Sequence, residues 1–405
     1  MSPGTRSFMR SRWPLLIGLV IGLVAAVTYL SMRPGRTGRW VIPGEFEDQQ
    51  ALILAWEKLP RQEGDMNYLV PQRQVLADII AASYRTIRVI ILVSDEESRQ
   101  SAGEALSERE VPLSEVTFVD VPFDSIWIRD YGPICVKSGT GQVQWRDHQY
   151  AMTAEGWVGP DGEQFTRSSD AGVTGKLANM TGTPSREVPL VLYGGGISSN
   201  GEGLLLVASD IVKWNKEKYG YSRDRITDLL QEHYGAREVV YLDVLKGEPT
   251  GHLDVFATFL AADMVVIGSY PRFHDPRNSL LLDANAQRLA GIQTSSGPLK
   301  VVRVTMAPHD SRFFGGTYAN VVFANGTLLV PSYGIDQDQE ALQTYQRLLP
   351  DWNVIPIDCG ALIIGEGAAH CVTLNLQAWP STLTRAPADA VDRFPHGQRR
   401  DPDRY

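Results

Sequence analysis

Cysteine is scarce in this chain, with three in 405 residues, Cys135, Cys359 and Cys371. So few and so scattered, they exclude a disulfide framework and a zinc site built on paired cysteines, and at least one thiol stays free unless it pairs between chains. Basic clusters are missing from the body, and the net charge is −9. This balance argues against nucleic acid as a partner and suits a cationic ligand. No G-x-G-x-x-G or Walker-type loop opens a helix-like segment, which removes the usual nucleotide-binding turns. The H-x-D spacing occurs once, at His252 and Asp254, too little for a site that needs several clustered His and Asp metal ligands. Long apolar runs are also missing, except for one at the start.

That run is Trp13–Met32, preceded by Arg6, Arg10 and Arg12 in a basic segment, 1–12, and followed by Arg33, Arg36 and Arg39. It is long enough to span a bilayer and lacks a clean small-x-small cleavage site, which favours an uncleaved signal anchor over a cleaved signal peptide. A single anchor of this kind puts the body outside the cytoplasm, with secretion as the alternative. From 44 to 379 the composition is that of one globular domain, and 380–405 is a polar tail rich in Pro, Arg and Asp that is expected to be disordered.

Within the body, β-rich runs alternate with helical patterns. Ala51–Leu54 leads to a helix expected to begin near Pro71, with Leu76, Ile79, Ile80 and Tyr84 on one face, and then to Val89–Val93. Leu204–Val207, a helix capped by Ser222, and Val239–Leu242 repeat the unit. So do Met264–Ile267 with Val301–Val304, and Thr327–Val330 with Val354–Ile357. Unit starts at 204, 264 and 327 give a near-constant period of about 60 residues. The stretch from Val116 to Val191 has room for one more unit with an insertion. The spacing predicts an α/β fold made of a closed ring of like modules rather than an open doubly wound sheet.

Chemistry-bearing residues gather at the ends of these units. Trp127, Arg129 and Asp130 fall within four residues before the Gly132-Pro133 turn. A carboxylate beside an indole suits a planar cation, although an Arg129–carboxylate pair locking a loop would explain the same residues. His252 and Asp254 precede a strand-like run, and two residues apart on a strand they would share one face. A satisfied core histidine is the plainer alternative. The glycine string Tyr193–Gly203 and the segment Thr317–Asn320 both precede strands and could be ordinary turns. Cys371 follows the small-residue stretch Gly365–Ala369 and His370. It is either a small buried hydrophobe or a nucleophile, whose thiolate donors and a cationic histidine would hold ionised near neutral pH.

Taken in order, the Asp130 loop, the glycine string, Gly-His-x-Asp, Tyr-x-Asn and the C-terminal His-Cys resemble the bacterial peptidyl-arginine deiminase and agmatine deiminase family of the guanidino-modifying pentein superfamily. The resemblance covers residues from about 44 to 376. It implies a five-bladed pseudo-symmetric α/β propeller of ββαβ modules around a central site. It further implies Cys371 as nucleophile, His252 as general acid and base, and Asp130 and Asp254 as the carboxylates gripping a guanidinium. Trp127 would form a wall, and Asn320 and Arg129 would support substrate binding. Neither a metal nor an organic cofactor is needed.

The glycine string reads Tyr193-Gly194-Gly195 and then Ser198 and Asn200, where agmatine deiminases have Glu-Gly-Gly followed by His and Asp. This leans toward a peptidyl-arginine substrate, with agmatine, giving N-carbamoylputrescine, as the alternative. The arginine pair expected to meet a substrate carboxylate is reduced to Arg146. A non-catalytic guanidinium binder would have no need of Cys371, and a thiol hydrolase of neutral amides would leave the two carboxylates unpaired.

Overall fold

The computed structural model describes residues 40–57, 63–150, 157–158, 164–165, 167–248, 250–308 and 316–380. The apolar run 13–32, read above as a membrane anchor or signal peptide, and nearly all of the polar tail lie outside them. No helix among the described residues is long and apolar enough to cross a membrane.

The described chain is a mixed α/β fold containing five sheets of three or four strands. Four of them follow one pattern: a strand pairs antiparallel with its successor, and a helical crossover then brings in a third strand parallel to the second. One sheet is Ile197–Ser199, Leu204–Ala208 and Glu238–Leu242. The next two are Ala257–Ala261, Met264–Ser269 and Lys300–Thr305, then Val322–Phe323, Thr327–Ser332 and Asn353–Asp358. The region left open between Val116 and Val191 supplies the fourth, Ile134–Ser138, Val143–Tyr150 and Ser185–Leu192. Its edge is extended by Trp40–Val41, so the folded body begins a few residues before Gly44.

The fifth sheet is assembled from both ends of the domain. Ala51–Trp56, Arg88–Val93 and Val116–Asp120 run parallel, and Leu374–Leu376 pairs antiparallel with Ala51, Leu52 and Ile53. The late strand takes the place that the preceding strand takes elsewhere. The central strands read as continuous apolar runs because both faces are covered, as parallel strands require. Ala51 to Trp56 is buried throughout.

The crossover helices use the signals seen in the sequence. Ser222 caps Arg223–Tyr234 by accepting from Arg225 N at 3.2 Å, and Gly235 ends it in the left-handed region at φ 69°. The helix expected to start near Pro71 spans Glu63–Ser83, with Pro71 inside it. The lost backbone donor is offset by the fully buried face of Leu76, Ile79 and Ile80, worth about 1.5–3 kcal/mol per side chain.

Candidate functional site

Each sheet is entered by a short irregular segment just before its antiparallel first strand, and each such segment carries one part of the site. Asp130 precedes Ile134, Gly195 precedes Ile197, His252 and Asp254 precede Ala257, Asn320 precedes Val322, and Cys371 precedes Leu374. Residues far apart in the chain therefore meet because they hold the same position in five like units.

Asp130 lies on the four-residue helix Ile128–Tyr131, which Gly132 and Pro133 end. Its Oδ1 accepts from Gly195 N at 3.1 Å, and its backbone carbonyl accepts from His148 Nε2 at 3.0 Å. His252 Nε2 is 3.7 Å from Asp130 Oδ2, and its Nδ1 is 3.9 Å from Asp254 Oδ1. These are ion-pair separations, longer than hydrogen bonds. Tyr193 stacks on the His252 ring at 4.5 Å and donates its hydroxyl to Gly251 O at 3.0 Å. His252 and Asp254 do converge, though not through strand alternation. They sit in a turn closed by Leu253 N and Asp254 N on Gly195 O, at 2.8 and 3.1 Å, and the strand starts only at Ala257.

Cys371 is 4% exposed. Its Sγ lies 3.3 Å from Asn320 Nδ2 and 3.9 Å from Asp254 Oδ2. Asn320, fully buried, also accepts His370 N on Oδ1 at 2.8 Å, which fixes the backbone just before the sulfur. Trp127 packs its indole against Gly367, where a methyl would come within 2.3 Å of Cζ3. Gly367 thus makes room for the tryptophan.

Arg129 does not face the reacting groups. Its guanidinium pairs with Glu45, and its Nε points to His370 O at 3.4 Å. The expected Arg129–carboxylate lock exists, with Glu45 and not Asp130 as partner. His370 in turn bridges Glu45 Oε2 and Asp254 Oδ2, at 2.7 Å to each. Glu45 escaped the sequence reading because nothing in Pro43-Gly44-Glu45-Phe46 marks it and its partners, Arg129 and His370, come 84 and 325 residues later. Behind this group lies a cavity of about 70 Å³, lined by Glu45, Arg129, Asp254, His370 and Asn375, with neither Cys371 nor His252 in its wall.

Burial pushes the Asp130 carboxyl up, with His252 opposing and Asp254 adding to the rise. Burial would depress His252, but Asp130 and Asp254 outweigh it and raise the imidazole above its ordinary value. The Cys371 thiol is held well above the usual range by burial and then by Asp254 and Asp130. Against the expectation of a resting thiolate, burial and the two nearby carboxylates favour the protonated thiol. Asp254 Oδ1 is buried and has no hydrogen-bond partner among the described residues.

Residues 41–376 match the Porphyromonas-type peptidyl-arginine deiminase family. An assigned agmatine deiminase of Lactococcus lactis is 26% identical over 357 residues, spanning 82% of this chain and 94% of its own. A solved Porphyromonas gingivalis chain, assigned as an arginine deiminase, is 26% identical with a TM-score of 0.68 and covers 84% of this chain and 98% of its own. The agmatine deiminase of Enterococcus faecalis, at 22% identity and a TM-score of 0.70, covers 84% of this chain and 97% of its own and shares the fold. On the family match over most of its length, the chain belongs to the Porphyromonas-type peptidyl-arginine deiminases.

Proposed function

We propose that this chain is a hydrolase that deiminates a guanidino substrate to a ureido product and ammonia, with Cys371 as nucleophile. The observation that carries the reading is the pair of buried carboxylates, Asp130 and Asp254, beside the Cys371 thiol, with Asp254 Oδ1 left without a hydrogen bond among the described residues. A guanidinium offers donors on several edges and one positive charge, which such a pair satisfies and a neutral amide does not.

The chemistry follows from the electrostatics. The bound cation offsets the carboxylates that raise the thiol, so Cys371 loses its proton to solvent as substrate enters. The thiolate adds to the guanidinium carbon. His252, cationic at rest, gives its proton to the departing nitrogen, and ammonia leaves behind an amidino-thioether. Neutral His252 then takes a proton from the water that adds to the same carbon. Collapse expels the Cys371 thiolate, the remaining hydroxyl proton passes to solvent, and the ureido product departs. Asn320, with Nδ2 3.3 Å from the sulfur, supports the thiolate, and Trp127 walls the site.

Arg146 bears on the substrate. It is buried, its Nε donated to His233 O at 2.8 Å and its Nη1 to Gln144 Oε1 at 3.1 Å, so it is engaged in packing and not in gripping a carboxylate. That favours an arginyl residue of a peptide, or agmatine, over free arginine. The common position of the site residues in five sheets, and the late strand sealing the first, support a pentein-like ring of five ββαβ blades with the site at its axis. The run Trp13–Met32 supports a single membrane anchor with the domain outside the cytoplasm. The test of the activity is ammonia release from arginyl peptides, agmatine and free arginine by the full chain. Release from the first two that vanishes in Cys371→Ala is expected, and release that survives in that variant removes Cys371 from the mechanism.

A further inference from the structure

We propose that His370 and Glu45 are positioning residues that hold Asp254 by one oxygen: a cationic imidazole occupies Oδ2 and leaves Oδ1 for the substrate. The inference rests on the guanidino reading of the site, and goes beyond it by making the start of the folded body part of the catalytic apparatus.

The argument is one of donors and acceptors. His370 Nδ1 is 2.7 Å from Asp254 Oδ2, and its Nε2 is 2.7 Å from Glu45 Oε2. An ionised carboxylate only accepts, so two such bonds require N–H on both ring nitrogens, and an imidazole with both is a cation. A protonated Glu45 would remove that requirement. Burial alone would push Glu45 that way, but Arg129 and His370 overcome it and bring the carboxyl down to about 2. The result is an alternation of charge, Arg129, Glu45, His370, Asp254, drawn from four separate segments of the chain and buried except at the partly exposed Glu45.

Burial and the Arg129 guanidinium oppose a cation at His370, but Glu45 and Asp254 outweigh them and raise the imidazole above its ordinary value. Its own carbonyl faces Arg129 Nε at 3.4 Å, and its N–H is taken by Asn320. The remaining charged group acting on it is His252, which bears the opposing carboxylates Asp130 and Asp254 on its own ring. Two consequences follow for Asp254. Its carboxylate plane is fixed, since one oxygen is held and Asn320 Nδ2 reaches its backbone carbonyl at 3.4 Å. Its charge is also partly compensated on the side nearest the thiol, because the oxygen that His370 binds is the one 3.9 Å from Cys371 Sγ.

The test uses the full chain and the variants Glu45→Gln, Glu45→Asp and His370→Asn. Imidazole ¹⁵N shifts, with His370→Asn as the assignment control, should show the parent His370 doubly protonated at about pH 8, and neutral in Glu45→Gln. Alkylation of Cys371 by iodoacetamide, which needs no substrate, should move its pH midpoint up by about one pH unit in Glu45→Gln and in His370→Asn. The kcat/KM for ammonia release should fall at least about tenfold, with Glu45→Asp recovering part of it. A neutral parent His370 at that pH overturns the proposal. So does a folded Glu45→Gln whose alkylation midpoint and kcat/KM match the parent. Should the parent release no ammonia from any guanidine, the functional reading fails alone, while the imidazole and alkylation measurements still decide the role of His370.

Discussion

Replacing Gly195 with alanine puts one methyl group among three reacting groups at once. Built on the observed backbone, the new carbon would lie 2.7 Å from His252 Nδ1, 3.0 Å from Asp130 Oδ1 and 3.2 Å from Asp254 Oδ1. Ordinary contact is about 3.5 Å or more, so the imidazole must retreat by roughly 0.8 Å and each carboxylate by a few tenths. A misplacement of this size costs on the order of a hundredfold in rate, equivalent to about 2.7 kcal/mol of transition-state stabilisation. Folding should suffer far less. Gly195 is not among the residues with positive φ, and its ties to Asp130, Leu253 and Asp254 run through its backbone N–H and carbonyl, which alanine keeps. Gly195→Ala should therefore show kcat/KM for ammonia release down about a hundredfold, with a thermal midpoint near the parent's. Activity within threefold of the parent, with the methyl seen in place, would refute the argument that His252, Asp130 and Asp254 work from the geometry described.

Asp130→Asn and Asp254→Asn turn an acceptor toward the guanidinium into a donor, and each should lower kcat/KM by about tenfold to a hundredfold; near-parent turnover in folded variants would return both residues to a structural role. Cys135→Ala and Cys359→Ala should cost stability rather than turnover, since both thiols are buried and pushed up by burial, Cys135 to about 12, as checked by thermal melts beside the activity assay. His148, buried and held down to about 4 by burial, stays neutral in the fold while an unfolded chain protonates below about pH 6.5. Its contribution is thus present above that pH and lost as pH falls toward about 4, by up to about 3 kcal/mol. Glu57, Asp147 and Asp170, all raised by burial, titrate with the opposite sign, so the readout is the difference in stability between parent and His148→Gln across this window. The full chain should sediment with membranes and resist salt extraction; a soluble product starting beyond Met32 would show a cleaved leader instead.

Four of the sheets could be read from the sequence because their central strands are apolar, starting at Ala51, Leu204, Met264 and Thr327, the last three evenly spaced. The sheet around Val143–Tyr150 could not. Its middle strand reads Val-Gln-Trp-Arg-Asp-His-Gln-Tyr, with Arg146 and His148 buried in specific hydrogen bonds that no periodicity reveals. Local spacing exposed His252, Asp254 and Cys371, since each stands beside a glycine or small-residue turn. Glu45 had no such signal. Its meaning comes from Arg129 and His370, and pairings across 84 and 325 residues leave no local trace. His370 stood next to the predicted nucleophile, yet its role depends on two carboxylates from other units.

The strand Leu374–Leu376 seals the first sheet only after more than three hundred residues have emerged from the ribosome, and Cys371 lies three residues before it. The thiol is therefore placed by a strand that docks on Ala51–Ile53, at the opposite end of the domain's sequence. Pairing across so long a sequence separation predicts slow final closure, because loop entropy must be overcome before the seam can stabilise the sheet.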